Sequence, residues 1–184
     1  MGNQKKVLAE FASDYYRMTG TQISLFKAIK NCIFMHNIRY MYWWRKRRSN
    51  PKNILAKWKC YRYSRKYGLE IGNCQIGPGL YLGHPYNITV GSEAVIGSNV
   101  NLSKGVTIGQ VNSGERKGSP TIGDCVWIGV NATVVGGIHV GNDVVIAPNS
   151  FVNFDVPDHA VVVGNPGAIH RKDNAAIGYI SFKV

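Results

Sequence analysis

Residues 121–152 read TIGDCVWIGVNATVVGGIHVGNDVVIAPNSFV, and their aliphatic residues fall six apart, at Ile122, Ile128, Val134, Val140, Ile146 and Val152. The same phase runs upstream through Val90, Ile96, Leu102 and Ile108. Gly follows six of these ten anchors, at 91, 97, 109, 123, 129 and 141. Four residues after an anchor stand Ala94, Val100, Val106, Val126, Ala132, Ile138, Val144 and Ser150, mostly small or branched. A looser echo, Ile71-Gly72 and Ile76-Gly77, precedes them.

Six is far from a multiple of the helical period of about 3.6, so these are not helices. The pattern fits a solenoid in which each short strand is followed by a corner. The anchor points inward, the small residue packs beside it, and Gly relieves the backbone at the bend. Three hexads make one triangular coil, and coils stack through ladder hydrogen bonds at about 4.8 Å. A β-sandwich would not hold one phase over ten anchors. The phase breaks once, between Ile108 and Ile122, where QVNSGERKGS (110–119) must leave the prism as a loop. Such loops are frequently functional.

The remaining chain differs in composition. Of 184 residues, 22 are Lys or Arg and 10 are Asp or Glu, a net charge of +12. Residues 15–69 hold 14 of the cations, no acid, and 12 of the 20 aromatics, whereas residues 70–184 sum to −2. The excess charge therefore belongs to a leader and not to the solenoid. Ile23, Phe26, Ile29 and Ile33, then Tyr40 and Trp44, predict a helix over 22–48 with Thr21 as its cap. Asn50-Pro51 and Gly68 predict a second helix over 51–67. The expected organisation is a helical leader (1–68), a solenoid (69–170) and a tail (171–184).

The cluster Tyr40, Tyr42, Trp43, Trp44 beside Arg45–Arg48 admits two readings. It packs the helices onto the solenoid or a sister subunit, or residues 22–48 touch an anionic membrane surface. No nucleic-acid-binding motif accompanies the basic patch, so nucleic acid is not expected as a partner. No secretory signal and no apolar run of about 18 residues is present. Cys32, Cys60, Cys74 and Cys125 form no CxxC pair. A cytoplasmic protein is expected, with peripheral contact at the inner membrane face under the second reading.

The anchors, together with GLYLGHP (79–85), SGERKGSPTIG (113–123) and VVVGNPGAI (161–169), resemble the hexapeptide-repeat acyltransferases with a left-handed parallel β-helix. Within them the chain is similar to the serine acetyltransferase-like branch, and the leader resembles its capsule and exopolysaccharide O-acetyltransferases. The resemblance covers roughly residues 69–170. The serine enzymes have a much longer helical N-terminal domain.

The resemblance places the catalytic histidine at His84, in LYLGHPYN. A neutral imidazole can take the proton of an acceptor hydroxyl as it attacks the thioester of acetyl-CoA, a contribution of about 10²–10⁴-fold. Glu70 matches the position of the family's orienting carboxylate, with Glu93 as its rival. The resemblance implies that coenzyme A lies in a groove between adjacent prisms of a homotrimer, lined by Gly109, Gly129, Val130 and Ala147. Arg171 and Lys172 would meet its phosphates. Gly83, Tyr86, Arg116 and Lys117 are the expected acceptor contacts, and no metal is expected.

Two departures matter. The serine enzymes carry Asp where this chain has Gly83, and an Arg-His pair where it has Arg116-Lys117. Losing the Asp removes a partner for an α-ammonium group. The expectation is therefore a sugar or polysaccharide-precursor hydroxyl as acceptor, with serine as the alternative. A β-helical metalloenzyme would need converging histidines, and His84 and His139 stand 55 residues apart. P-loop, HExxH and GxSxG signatures are absent.

Overall fold

The computed structural model describes residues 2–184, with the side chains of residues 2–4 and Leu25 set aside. Four helices come first: α1 (Gly2–Thr19), α2 (Leu25–Phe34), α3 (His36–Ser49) and α4 (Ile54–Tyr67). Short strands follow: β1 (Leu69–Ile71), β2 (Gln75–Ile76), β3 (Tyr81–Gly83), β4 (Ile88–Val90), β5 (Val95–Ile96), β6 (Asn101–Ser103), β7 (Thr107–Gly109) and β8 (Thr121–Ile122). The series continues with β9 (Trp127–Ile128), β10 (Thr133–Val135), β11 (His139–Val140), β12 (Val144–Ile146), β13 (Phe151–Val152), β14 (Ala160–Val163) and β15 (Ala168–Arg171).

The strands wind into a left-handed parallel β-helix of about five turns. Its three faces are β1-β4-β7-β10-β13 (face A), β2-β5-β8-β11 (face B) and β3-β6-β9-β12-β14, extended by β15 (face C). Pairing is parallel throughout except for β14 with β15. The hexad anchors are the buried residues, with Ile108, Ile128, Val134, Val140 and Ile146 fully enclosed. The alternate corners between faces C and A take left-handed backbone at Asn87, Gly105, Asn131 and Asn149, with φ from 54° to 74°. Asn and Gly adopt this region with least strain, so the recurrent asparagines are corner residues.

The leader departs from expectation. Residues 22–48 are two helices broken at Met35, and the first is capped by Ser24, whose Oγ accepts from Lys27 N (3.4 Å), not by Thr21. The last helix starts after Asn53, whose Oδ1 accepts from Ala56 N (3.0 Å), while Asn50 and Pro51 lie in the preceding turn. Gly68 closes it in the left-handed region as expected, at φ 65°. Helix α1 was not expected. It buries Val7, Phe11 and Tyr15, one face at helical spacing.

Tyr40 and Trp44 are buried, which decides for packing over a membrane surface at these two rings. The first coil has no strand below it, so its outer backbone groups need partners from elsewhere. Helix α3 supplies them. Trp44 Nε1 donates to Gly72 O (2.9 Å), Arg47 to Ile71 O (2.6 Å), Arg45 to Ile76 O (2.8 Å) and Gly77 O (2.7 Å). Ile71 N donates to Tyr40 Oη (3.2 Å). Arg45 also forks Asp14, at 2.9 Å on both oxygens, and Asp14 accepts from Leu80 N. The basic run is thus largely a donor set for the solenoid end. No helix among the described residues is long and apolar enough to cross a membrane.

The tail runs back along the prism. Asn99 exchanges two bonds with Val184, both 2.9 Å, and Asn101 Nδ2 donates to Tyr179 O (3.0 Å). Arg17 reaches Ser181 O and Asn101 Oδ1. Asp143 accepts from Ala175 N (3.0 Å), Ala176 N (2.9 Å) and His159 Nδ1 (2.8 Å). The hydrogen bond to Asp143 raises His159 above the ordinary imidazole value of 6.5. Partial burial pushes the Asp143 carboxyl up, but the Ala176 and His159 bonds outweigh it and hold it below 3.8. The contribution of protonated His159 is complete below pH 6.5 and is lost as pH rises through its raised folded value. That of ionised Asp143 is present above 3.8 and is lost as pH falls through its depressed value. Amide exchange of residues 175–184 should therefore be slowest between about pH 4 and 6.5 and accelerate above, relative to the core, and His159→Ala should remove the upper limb.

Candidate functional site

His84 follows β3 at the corner between faces C and A. It is exposed, its backbone lies in the left-handed region at φ 47°, and Tyr86 N closes the turn onto His84 O (2.8 Å). A side chain carried on a strained corner projects away from the prism. Its ring makes no hydrogen bond to any described residue, so it is free to accept one from a ligand.

Strand register defines what surrounds it. Leu82, Leu102, Ile128, Ile146 and Val162 form one buried ladder. The next residues, Gly83, Ser103, Gly129, Ala147 and Val163, form a column up the same corner, at about 4.8 Å per coil. Gly129 and Ala147 thus share this corner with His84, two and three coils above Gly83, and Val130 follows Gly129. A Cβ at Gly83 would meet the Tyr81 ring edge at 3.3 Å, a tight contact that a side chain there fits only if the ring shifts by a few tenths of an ångström, with Leu102 O next at 3.9 Å.

Gly109 is not on this column. It ends β7 at the corner between faces A and B, beside Val135. The loop expected at 110–119 leaves from that same corner as a small hairpin. Val111 and Gly118 exchange two 2.9 Å backbone bonds, and Gly137 N holds Arg116 O at 2.8 Å. Arg116 meets Asp155 at 3.5 Å with both side chains exposed, an ion pair worth little. Lys117 is exposed. Arg171 pairs with Ala160 at the start of face C, opposite to the end where Ala147 lies, so Arg171 and Lys172 are not joined to the His84 corner in the single chain.

Glu70 lies on face A of the first coil, and its carboxylate accepts from Ser64 Oγ at 3.1 Å. No hydrogen bond joins it to His84, so the expected pair is not assembled in the single chain. Glu93 is exposed on the following corner.

The sequence did not reveal the aromatic support under the His84 turn. His36 stacks on Tyr67 with centroids 4.2 Å apart, lies 5.0 Å from the Tyr86 ring, and places Nε2 3.3 Å from Pro85 O. Burial, with Arg39 and Lys66 nearby, holds His36 below its ordinary value against the pull of Pro85 O. Tyr86 is therefore partly engaged in holding the turn. Only the lone His36 in a helix signalled this, and such a residue is usually structural.

Burial pushes the Cys60 and Cys74 thiols up to about 11, so neither supplies a thiolate at neutral pH. Among the described residues no three His, Cys, Asp or Glu side chains are placed to hold a metal.

The family described as "Bacterial transferase hexapeptide (six repeats)" matches residues 119–153. The serine acetyltransferase of Staphylococcus aureus is 36% identical over 131 residues, 70% of this chain and 62% of that protein. That of Staphylococcus xylosus is 39% identical over 112 residues, 60% of this chain and 52% of that protein. The structure of Neisseria gonorrhoeae serine acetyltransferase in complex with serine superposes with a TM-score of 0.72 at 30% identity, covering 92% of this chain and 69% of that one. The chain belongs to the hexapeptide-repeat acyltransferases, in their serine acetyltransferase branch. It spans 62% of the length of the first curated relative.

These relatives correct the expected acceptor. They are named for serine, and neither closeness to capsule or exopolysaccharide O-acetyltransferases nor a sugar or polysaccharide partner is supported. That expectation rested on Gly83 and Lys117. Removing one charged contact changes affinity by about 1–3 kcal/mol, which alters how well a substrate is held more readily than its class.

Proposed function

We propose that the protein transfers the acetyl group of acetyl-CoA to the hydroxyl of serine. The observation that carries this is the exposed His84 on the Gly83–Gly129–Ala147 column, in a chain that matches a serine acetyltransferase with serine bound. His84 takes the serine hydroxyl proton as the oxygen attacks the thioester carbonyl. The tetrahedral intermediate collapses, the carbon–sulfur bond breaks, and the imidazolium returns its proton to the departing thiolate. Products are O-acetylserine and free coenzyme A.

The Gly109 and loop corner and the His84 corner lie on opposite ends of face A, so one prism does not complete the site. A homotrimer brings the loop corner of one prism to the His84 corner of the next. Coenzyme A then runs between Gly129, Val130 and Ala147 of one chain and Gly109 of its neighbour, with Arg171 and Lys172 for its phosphates. Arg116 gives up its weak pairing with Asp155 for the serine carboxylate, with Lys117 beside it. Glu70 exchanges Ser64 for the second nitrogen of His84 and fixes its tautomer. Four unbridged cysteines support a reduced, cytoplasmic setting.

His84→Ala should lower kcat by about 10²-fold or more while the oligomer and coenzyme A binding persist, measured by thiol release and calorimetry. Glu70→Gln should lower kcat about tenfold while Ser64→Ala leaves it unchanged. Retained turnover in His84→Ala, or no serine turnover in the wild type, removes the reading. Gly83 leaves the serine ammonium without a carboxylate. Gly83→Asp should lower KM for serine about tenfold with little change in kcat. An unchanged KM would show that the ammonium is held elsewhere.

A further inference from the structure

Outside the solenoid, α3 and α4 border an open cavity of roughly 300 Å³ whose cationic lining is Arg39, Lys59, Arg62 and Lys66. That volume is at the low end of small-molecule sites. No acid lies anywhere in residues 15–69, and none of the ion pairs among the described residues reaches these four. Their neighbours are aromatic faces instead. Lys59 and Arg62 stand 5.0 and 5.3 Å from the Trp58 ring, Arg39 6.0 Å from Tyr63, and Lys66 5.3 Å from Tyr67. Arg39 is half-buried and has no acidic partner, and its Nε, covered by the surrounding chain, makes no hydrogen bond within it. The half-exposed Trp58 ring is a stacking surface beside the charges.

We propose that this cavity binds a diphosphate-bearing anion of the nucleoside diphosphate class. Four cations match three to four phosphate charges, Arg39 and Arg62 offer forked donors to phosphate oxygens, and Trp58 takes the base. Tyr67 forms one wall and stacks on His36, which contacts Pro85 O beside His84. The site therefore adjoins the turn that carries the base without sharing its residues. The inference does not rest on the acyl-transfer reading.

The test is calorimetric titration of the full chain with ADP, AMP and inorganic pyrophosphate in the absence of coenzyme A, whose own adenosine diphosphate moiety would compete for the cavity; the Arg62→Ala/Lys66→Ala variant tells this cavity from the coenzyme A groove. One ADP per chain should bind, about tenfold tighter than AMP, with pyrophosphate also binding and affinity falling as salt rises. The exposed pair Arg62→Ala/Lys66→Ala should weaken ADP about tenfold or more, and Lys27→Ala/Lys30→Ala on α2, which removes equal charge elsewhere, should not. No ADP binding overturns the proposal, as does equal weakening by the two double variants, which would mark diffuse attraction. Binding to vesicles of phosphatidylcholine with phosphatidylglycerol that Arg62→Ala/Lys66→Ala abolishes, without ADP binding, would also overturn it in favour of a lipid surface.

Discussion

A solenoid of parallel strands has two ends, and at each end a row of backbone groups lacks the next coil. In this protein the first coil is closed by side chains of α3. Ile71 shows the arrangement in one residue: its N–H goes to Tyr40 Oη and its carbonyl to Arg47. Arg45 joins three elements, because its guanidinium bonds the Ile76 and Gly77 carbonyls while its fork is neutralised by Asp14 of α1. A buried arginine without that carboxylate would be strongly destabilising, so α1, α3 and the first coil form one unit. At the other end the antiparallel β15 edges face C, and the tail then runs back along the prism to Asn99 and to Arg17 of α1.

The closed end also fixes the candidate site. His84 stands on the first coil, and the turn that carries it is seated on His36 and Tyr67, from α3 and α4. Registration of α3 on the coil edge thereby sets the position of His84. Further along, the corner column needs no help from the helices, since the hexads stack Gly129 and Ala147 above Gly83 by ladder bonds alone. What a single prism cannot do is bring the Arg116 loop to this column, because face A lies between the two corners.

The hexads were legible because period and coil are the same fact: every anchor from Val90 to Val152 is buried. His84 was singled out by the resemblance of LYLGHPYN and not by the period. The leader was not legible, for physical reasons. Helix α1 hides because its buried face carries Asp14 and Arg17, which read as surface charges until their partners on the first coil and tail are known. The run Arg45–Arg48 reads as an interfacial patch because composition records charge and not the free carbonyls awaiting it. Conversely Ile23, Phe26, Ile29 and Ile33, whose spacing predicts a helix, are exposed on the described chain. The acceptor was misjudged because Gly83, the altered loop and the basic leader were taken to point away from serine, whereas the relatives are named for it.

The account turns on Arg45, Arg47 and Arg48 acting as hydrogen-bond donors to the first coil and not as charge alone. The most direct measurement is the urea midpoint, with site-resolved amide exchange, of the variant Arg45→Lys/Arg47→Lys/Arg48→Lys. Net charge is unchanged, but the planar forks are lost. The account predicts a loss of about 3 kcal/mol or more, with faster exchange confined to the first coil, residues 69–90, while the coils around Val134 and Val152 stay protected. An unchanged midpoint and unchanged protection in that coil would contradict it.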